Sequence, residues 1–148
     1  MIDVKIMNGL NALLAKNYDA EKGYLSAAEE TNNKMHAALF RAKAGQRYEF
    51  GHEIKAILKG SGGHIDKGTT VAGDLHRAWF NFKSFISFDK EEMLLEEIER
   101  GEEACLDEYN DFLDKYELPQ DVHAVISRQK SSVVRSLNRI ERMEDAID

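Results

Sequence analysis

The chain contains Glu49-Phe50-Gly51-His52, a carboxylate and an imidazole three residues apart. On a helix that spacing puts both groups on one face, the arrangement by which helical bundles hold metal ions in their cores. Iron, manganese or zinc would suit such ligands, hard or borderline cations in an oxygen-rich site. Helical phase ranks the candidates differently. At 100° per residue His52 falls roughly 140° from the apolar centre defined by Leu39, Phe50 and Ile57, and Glu49 sits at the edge. Glu53 and Gln46 lie within roughly 40° of that centre, one heptad apart.

The same construction on the preceding segment puts Glu21 in the middle of the stripe Leu14, Tyr18, Leu25 and Ala28, with Asn17 beside it. An isolated ionised carboxylate is very costly to bury, so an inward Glu must be paired, hydrogen-bonded, protonated or metal-bound. Further along, Glu102 falls near the apolar centre of Ile98, Cys105 and Tyr116, and Glu99 lies at its boundary. Gln129 and Ser136 are the inward polar groups of the last segment, seven apart like Gln46 and Glu53. Two readings stay open. Either Glu21, Glu53 and Glu102 form a metal centre with support from Glu49, His52 and Glu99, or the core is polar and metal-free. A two-metal site of the bundle type draws on about six ligands, and the three inward carboxylates fall short of that. A di-iron oxidase is the enzymatic version of the first reading. A structural or interaction protein is the non-enzymatic version of the second.

The remaining candidates read as structural. His76 and Trp79 are expected at an interface, packing a connecting segment on the bundle. His36, His64 and His123 read as surface residues, and Cys105 as an inert core hydrophobe. Phosphate loops, nucleophile elbows and paired-cysteine metal motifs are absent.

These side chains are carried by long helices. Only one Pro and ten Gly occur in 148 residues, and five of the glycines (Gly60, Gly62, Gly63, Gly68, Gly73) crowd into one stretch. A β-rich domain would need more turn residues. Apolar periodicity predicts helices over about 3–30, 34–60, 70–87, 90–117 and 119–145. Thr31-Asn32-Asn33 makes one tight turn, and Pro119 opens the last helix. Two hairpins, 3–60 and 90–145, are thereby joined by a crossover, 61–89, containing the short helix. This predicts a single all-α domain, a ferritin-like four-helix bundle with a short fifth helix in its crossover.

The net charge of −7, without a basic stripe, argues against nucleic acid as partner, and no apolar run reaches membrane-spanning length. One cysteine and the absence of a basic-then-apolar leader pattern point to a reducing, cytoplasmic setting. The aromatic run Trp79, Phe80, Phe82, Phe85 and Phe88 cannot all face inward on one helix, so some are expected to be exposed or to lie at an oligomer interface, and a homo-oligomer, a dimer, is the expected partner state. From Asp89 to Glu117 there are thirteen acidic and three basic residues, and the last helix answers with Arg128, Lys130, Arg135, Arg139 and Arg142.

The runs Asp19-Ala20-Glu21-Lys22-Gly23-Tyr24, Ala27-Ala28-Glu29, Gly62-Gly63, Val71-Ala72-Gly73-Asp74-Leu75-His76-Arg77-Ala78-Trp79, Glu99-Arg100-Gly101-Glu102 and Arg128-Gln129 resemble DUF2383, a bacterial family of ferritin-like bundle proteins of unassigned activity. The resemblance spans nearly the whole chain. It implies a ferritin-like bundle, with metal binding by analogy, and favours Glu53 over His52. Family members often carry a Glu just before the Arg-Gln pair and a His further along. Here Ser127 and Leu137 stand at those positions.

Overall fold

The structure is a computed structural model and describes residues 2–65 and 90–147. Within these, four long helices form: α1 (Val4–Glu30), α2 (Lys34–Gly60), α3 (Glu91–Lys115) and α4 (Gln120–Ile147). Their ends follow from local chemistry. The Asp3 carboxylate accepts from the Ile6 N–H at 2.9 Å, and Asn33 Oδ1 accepts from the N–H groups of Met35 and His36, so two helix starts are capped by short polar side chains. Gly62, at φ 71°, turns the chain out of α2, and the Gly63 N–H reaches back to the Leu58 carbonyl at 2.8 Å. The first turn of α3 carries Glu91 and Glu92, favourable against the positive end of the helix dipole.

Contacts along the helices fix the topology. Helices α1 and α2 form one antiparallel hairpin, and α3 and α4 another. Between hairpins, Asn17 meets Tyr109 and Tyr24 meets Glu102, so α1 and α3 run antiparallel. Gln129 meets Phe50 while Ser136 meets Lys43, so α2 and α4 do too. Residue 64 hydrogen-bonds to Asn11 near the start of α1, whereas Glu91 lies 3.4 Å from His36 at the opposite end of the bundle. The last described residues before the gap and the first after it therefore lie at opposite ends of the bundle. The expected short helix at 70–87, with His76 and Trp79, lies outside the described residues. Among the described residues no helix is long and apolar enough to cross a membrane.

Two apolar clusters fill the interior. One holds Leu10, Leu14, Phe50, Ile54, Leu58, Phe112, Val122 and Ile126, and the other Tyr24, Ala28, Phe40, Leu94, Leu95, Ile98 and Ile140. Each large aliphatic or aromatic side chain so buried contributes roughly 1.5–3 kcal/mol. Two expectations, for Leu25 and His36, are corrected here, and one large apolar side chain of α3 faces outward. Leu25, expected inward, is 44% exposed because the buried row of α1 is centred on Leu10, Asn17 and Tyr24, rotated about 65° from the expected stripe. Met93 is 43% exposed, since the adjacent Leu94 and Leu95 take the core at the start of α3. His36, expected on the surface, is buried against Phe40 with its ring beside Glu91.

The close approach of α1 and α3 depends on Gly9, where a Cβ would lie 2.7 Å from Phe112 Cε1 and 2.9 Å from Tyr116 Cε2. At Gly45, in the middle of α2, a Cβ would meet nothing within 4 Å. The two glycines should respond with opposite signs in urea unfolding. Gly9→Val is expected to lower stability by about 1–3 kcal/mol through overpacking. Gly45→Ala is expected to raise it by about 0.5–1 kcal/mol through helix propensity.

Candidate functional site

Between the two apolar clusters lies a layer of buried polar side chains contributed by all four helices. Its centre is Glu102 on α3, fully buried at 0% exposure. Its Oε1 accepts from the Tyr24 hydroxyl at 2.9 Å and from Lys43 Nζ at 3.3 Å, and its Oε2 accepts from Arg47 at 2.9 Å. Lys43 and Arg47, each 4% exposed, come from neighbouring turns of α2. The buried row of α2 runs His36, Phe40, Lys43, Arg47, Phe50, Ile54, Leu58, and its steps of three and four residues put both cations on the same face as the two phenylalanines.

Each cation has further partners. Lys43 Nζ donates to Ser136 Oγ at 3.0 Å, and Arg47 reaches Cys105 Sγ at 2.8 Å and Asn17 Oδ1 at 3.4 Å. From Asn17 the network continues: its amide donates to the Tyr109 hydroxyl at 3.1 Å, and Tyr109 donates to Gln129 Oε1 at 2.7 Å. The Gln129 amide donates to the Phe50 carbonyl at 3.2 Å and to Glu53 Oε1 at 3.0 Å, and Glu53 closes the chain at the surface in an ion pair with Arg128. A continuous polar path thus runs from Lys43 and Glu102 to the outer face of α4.

The electrostatics follow from burial and pairing. Burial works to raise the pKa of Glu102, but the charges of Arg47 and Lys43 and the hydrogen bonds from Tyr24 and Arg47 outweigh it, so the carboxyl stays below its usual range. Burial lowers Lys43, with the Glu102 charge opposing and the Arg47 charge reinforcing the shift. Burial also raises the Tyr24 phenol, and the adjacent Glu102 carboxylate adds to it. The Cys105 thiol is pushed up by burial to about 11 against the pull of Arg47, so it is protonated and poorly nucleophilic at neutral pH.

The side chains expected to ligate metal do not gather around Glu102. Glu53 stands at the rim of the layer, where hydrogen bonds from Arg128 and Gln129 outweigh partial burial and hold its carboxyl below the usual range. Glu21 is partly buried, and Glu49 and His52 are exposed, with His52 stacked on Tyr48 at a ring separation of 6.2 Å. Glu99 lies partly buried beside Glu144, whose carboxyl is raised by burial and by the neighbouring Glu99. Gln46 is partly buried, and its Oε1 has no hydrogen-bond partner among the described residues. Gln129 is fully buried, as expected. His64 and His123 are exposed.

A metal ion in this layer would have to take its ligands from Glu102 and neighbouring carboxylates. The one carboxylate at the centre already accepts from a lysine, an arginine and a tyrosine. Among the described residues, moreover, no three His, Cys, Asp or Glu side chains come together in a way that could hold an ion. The donor set does not fit a metal. Lys43, Arg47 and Tyr24 are the members of the site that hydrophobic periodicity misses. A search for charged residues spaced on the heptad of Phe40, Phe50 and Ile54 would have found the two cations.

Pairing at Glu102 makes stability depend on charge balance. Glu102→Gln leaves two buried cations without a carboxylate and is expected to cost about 3–5 kcal/mol at neutral pH. Lys43→Met leaves a balanced Glu102–Arg47 pair and is expected to cost much less. Because the folded-state pKa of Glu102 is lowered, its contribution is present above the ordinary carboxylate pKa and is lost as pH falls through the lower native value. Urea midpoints of the wild type and Glu102→Gln should therefore converge in acid.

No curated protein matches the chain. A family profile, that of a domain of unknown function termed DUF2383, matches residues 5–115, from the first turn of α1 to the last residue of α3, and the chain belongs to that family.

Proposed function

We propose that this protein is a non-enzymatic structural or interaction module, a ferritin-like bundle in its connectivity, whose core is metal-free and held by an ion cluster. The observation that carries this reading is the occupation of both Glu102 oxygens by Tyr24, Lys43 and Arg47. In a metal-binding bundle the counter-charge to buried carboxylates comes from the ions. Here α2 supplies it from side chains. The layer offers no nucleophile or general base in a ready state: the thiol and the phenols are held protonated, and the carboxylate is fully engaged. Such a layer contributes register and specificity, the best-attested role of buried polar groups in helical assemblies.

The competing reading, a core that handles iron, manganese or zinc, requires Lys43 and Arg47 to give up Glu102. Metal analysis of protein purified without an affinity tag, combined with melting in added Fe(II), Mn(II), Zn(II) or chelator, separates the two. The expected result is no stoichiometric metal and no shift in melting temperature, since an ion that bound only the folded state would raise it. Stoichiometric metal in the wild type that disappears in Glu102→Gln or Glu53→Gln would overturn the proposal.

A further inference from the structure

Two rows of charge line the outer face of the second hairpin. On α3, Glu103, Asp107 and Asp114 are exposed and lie within about 40° of one another at 100° per residue. On α4, Arg128, Arg135, Arg139 and Arg142 are exposed and lie within about 60°. Each row sits opposite the buried row of its own helix, the first facing away from Ile98, Glu102, Cys105 and Tyr109, the second away from Ile126, Val133, Leu137 and Ile140. Pointing away from the same core, the rows cannot reach each other inside one molecule. Apart from Arg128, which pairs with Glu53, none of these residues makes an ion pair among the described residues.

The spacings match. Descending α3 from Asp114 gives steps of seven and four residues to Asp107 and Glu103, and ascending α4 from Arg128 gives steps of seven and four to Arg135 and Arg139. Laid antiparallel, Asp114 faces Arg128, Asp107 faces Arg135 and Glu103 faces Arg139 over about 16 Å. The next step brings Arg100 against Arg142, which ends the match. A two-fold axis parallel to the helices sets α3 of one copy antiparallel to α4 of another and repeats the same contact on the other side. We propose that two copies of this chain associate through the outer face of the α3–α4 hairpin, the acidic row of each on the arginine row of its partner. The proposal does not rest on the metal-free core, since neither row touches it.

Exposed ion pairs are individually weak and screened by salt, so the association is reversible and sensitive to ionic strength. Sedimentation of the full chain at low salt and at about 0.5 M salt, where screening reaches only a few ångströms, is the test. A dimer at low salt that dissociates at high salt is expected. The double variant Arg135→Glu/Arg139→Glu is expected to be monomeric at both, and so is Glu103→Arg/Asp107→Arg, with unchanged helical content by circular dichroism. Mixed one to one, the two variants should form a dimer, because each then presents the charge that the other lacks. A monomer at both ionic strengths, a dimer indifferent to salt, or a failure of the mixture to pair would overturn the proposal. A wild-type monomer whose arginine row instead captures an acidic peptide would do so too.

Discussion

A carboxylate with no exposure to water has to be neutralised where it stands, and much of this bundle is arranged around that requirement. Glu102 is met by donors from both helices of the other hairpin, Tyr24 on α1 and Lys43 and Arg47 on α2. The apolar clusters on either side hold the layer dry, which strengthens each attraction and equally raises the cost of any missing partner. The solution is imperfect. Two cations surround one carboxylate, and among the described residues the Nε–H of Arg47 finds no acceptor. Such a site is poorly explained as a device for maximal stability, because apolar residues of similar volume would often do as well. It is better explained as a device for alignment, since a shift of either hairpin by one turn would strand the charges.

On the reading proposed above, the polar layer supplies from side chains the counter-charge that metal ions would otherwise bring to a buried carboxylate. In this protein the central carboxylate is single, and its partners are side chains, two cations and a neutral phenol. The other acids that could have joined it have been drawn elsewhere: Glu53 to Arg128 and Gln129 at the rim, and Glu99 to the neighbourhood of Glu144 near the far end of α4.

Most of the fold was legible in the residues. Sparse Pro and Gly, the polar turn at 31–33 and the proline at 119 marked the helix ends, and the glycine group at 60–63 marked the end of α2. Apolar periodicity placed α3 and α4 well because their buried rows are interrupted only by Glu102 and Gln129, both recognised as inward. It failed on α2. Reading a row by its hydrophobes assumes that lysine and arginine face water, so Lys43 and Arg47 pulled the inferred face toward Leu39 and Ile57 and drew Glu53 and Gln46 inward on paper. On α1 the same displacement promoted Glu21 over Tyr24. The partner of a buried charge can only be identified once the helices are packed, because Glu102 and its cations lie at least 55 residues apart in the chain.

That separation bears on how the molecule comes together in time. The apolar contacts inside each hairpin join near neighbours and can form early, whereas every bond to Glu102 closes a long loop and pays its entropy first. Until the hairpins meet, Lys43, Arg47 and Glu102 all remain in water on open faces. The wet seam between two half-formed hairpins is therefore the last part of the structure to dry.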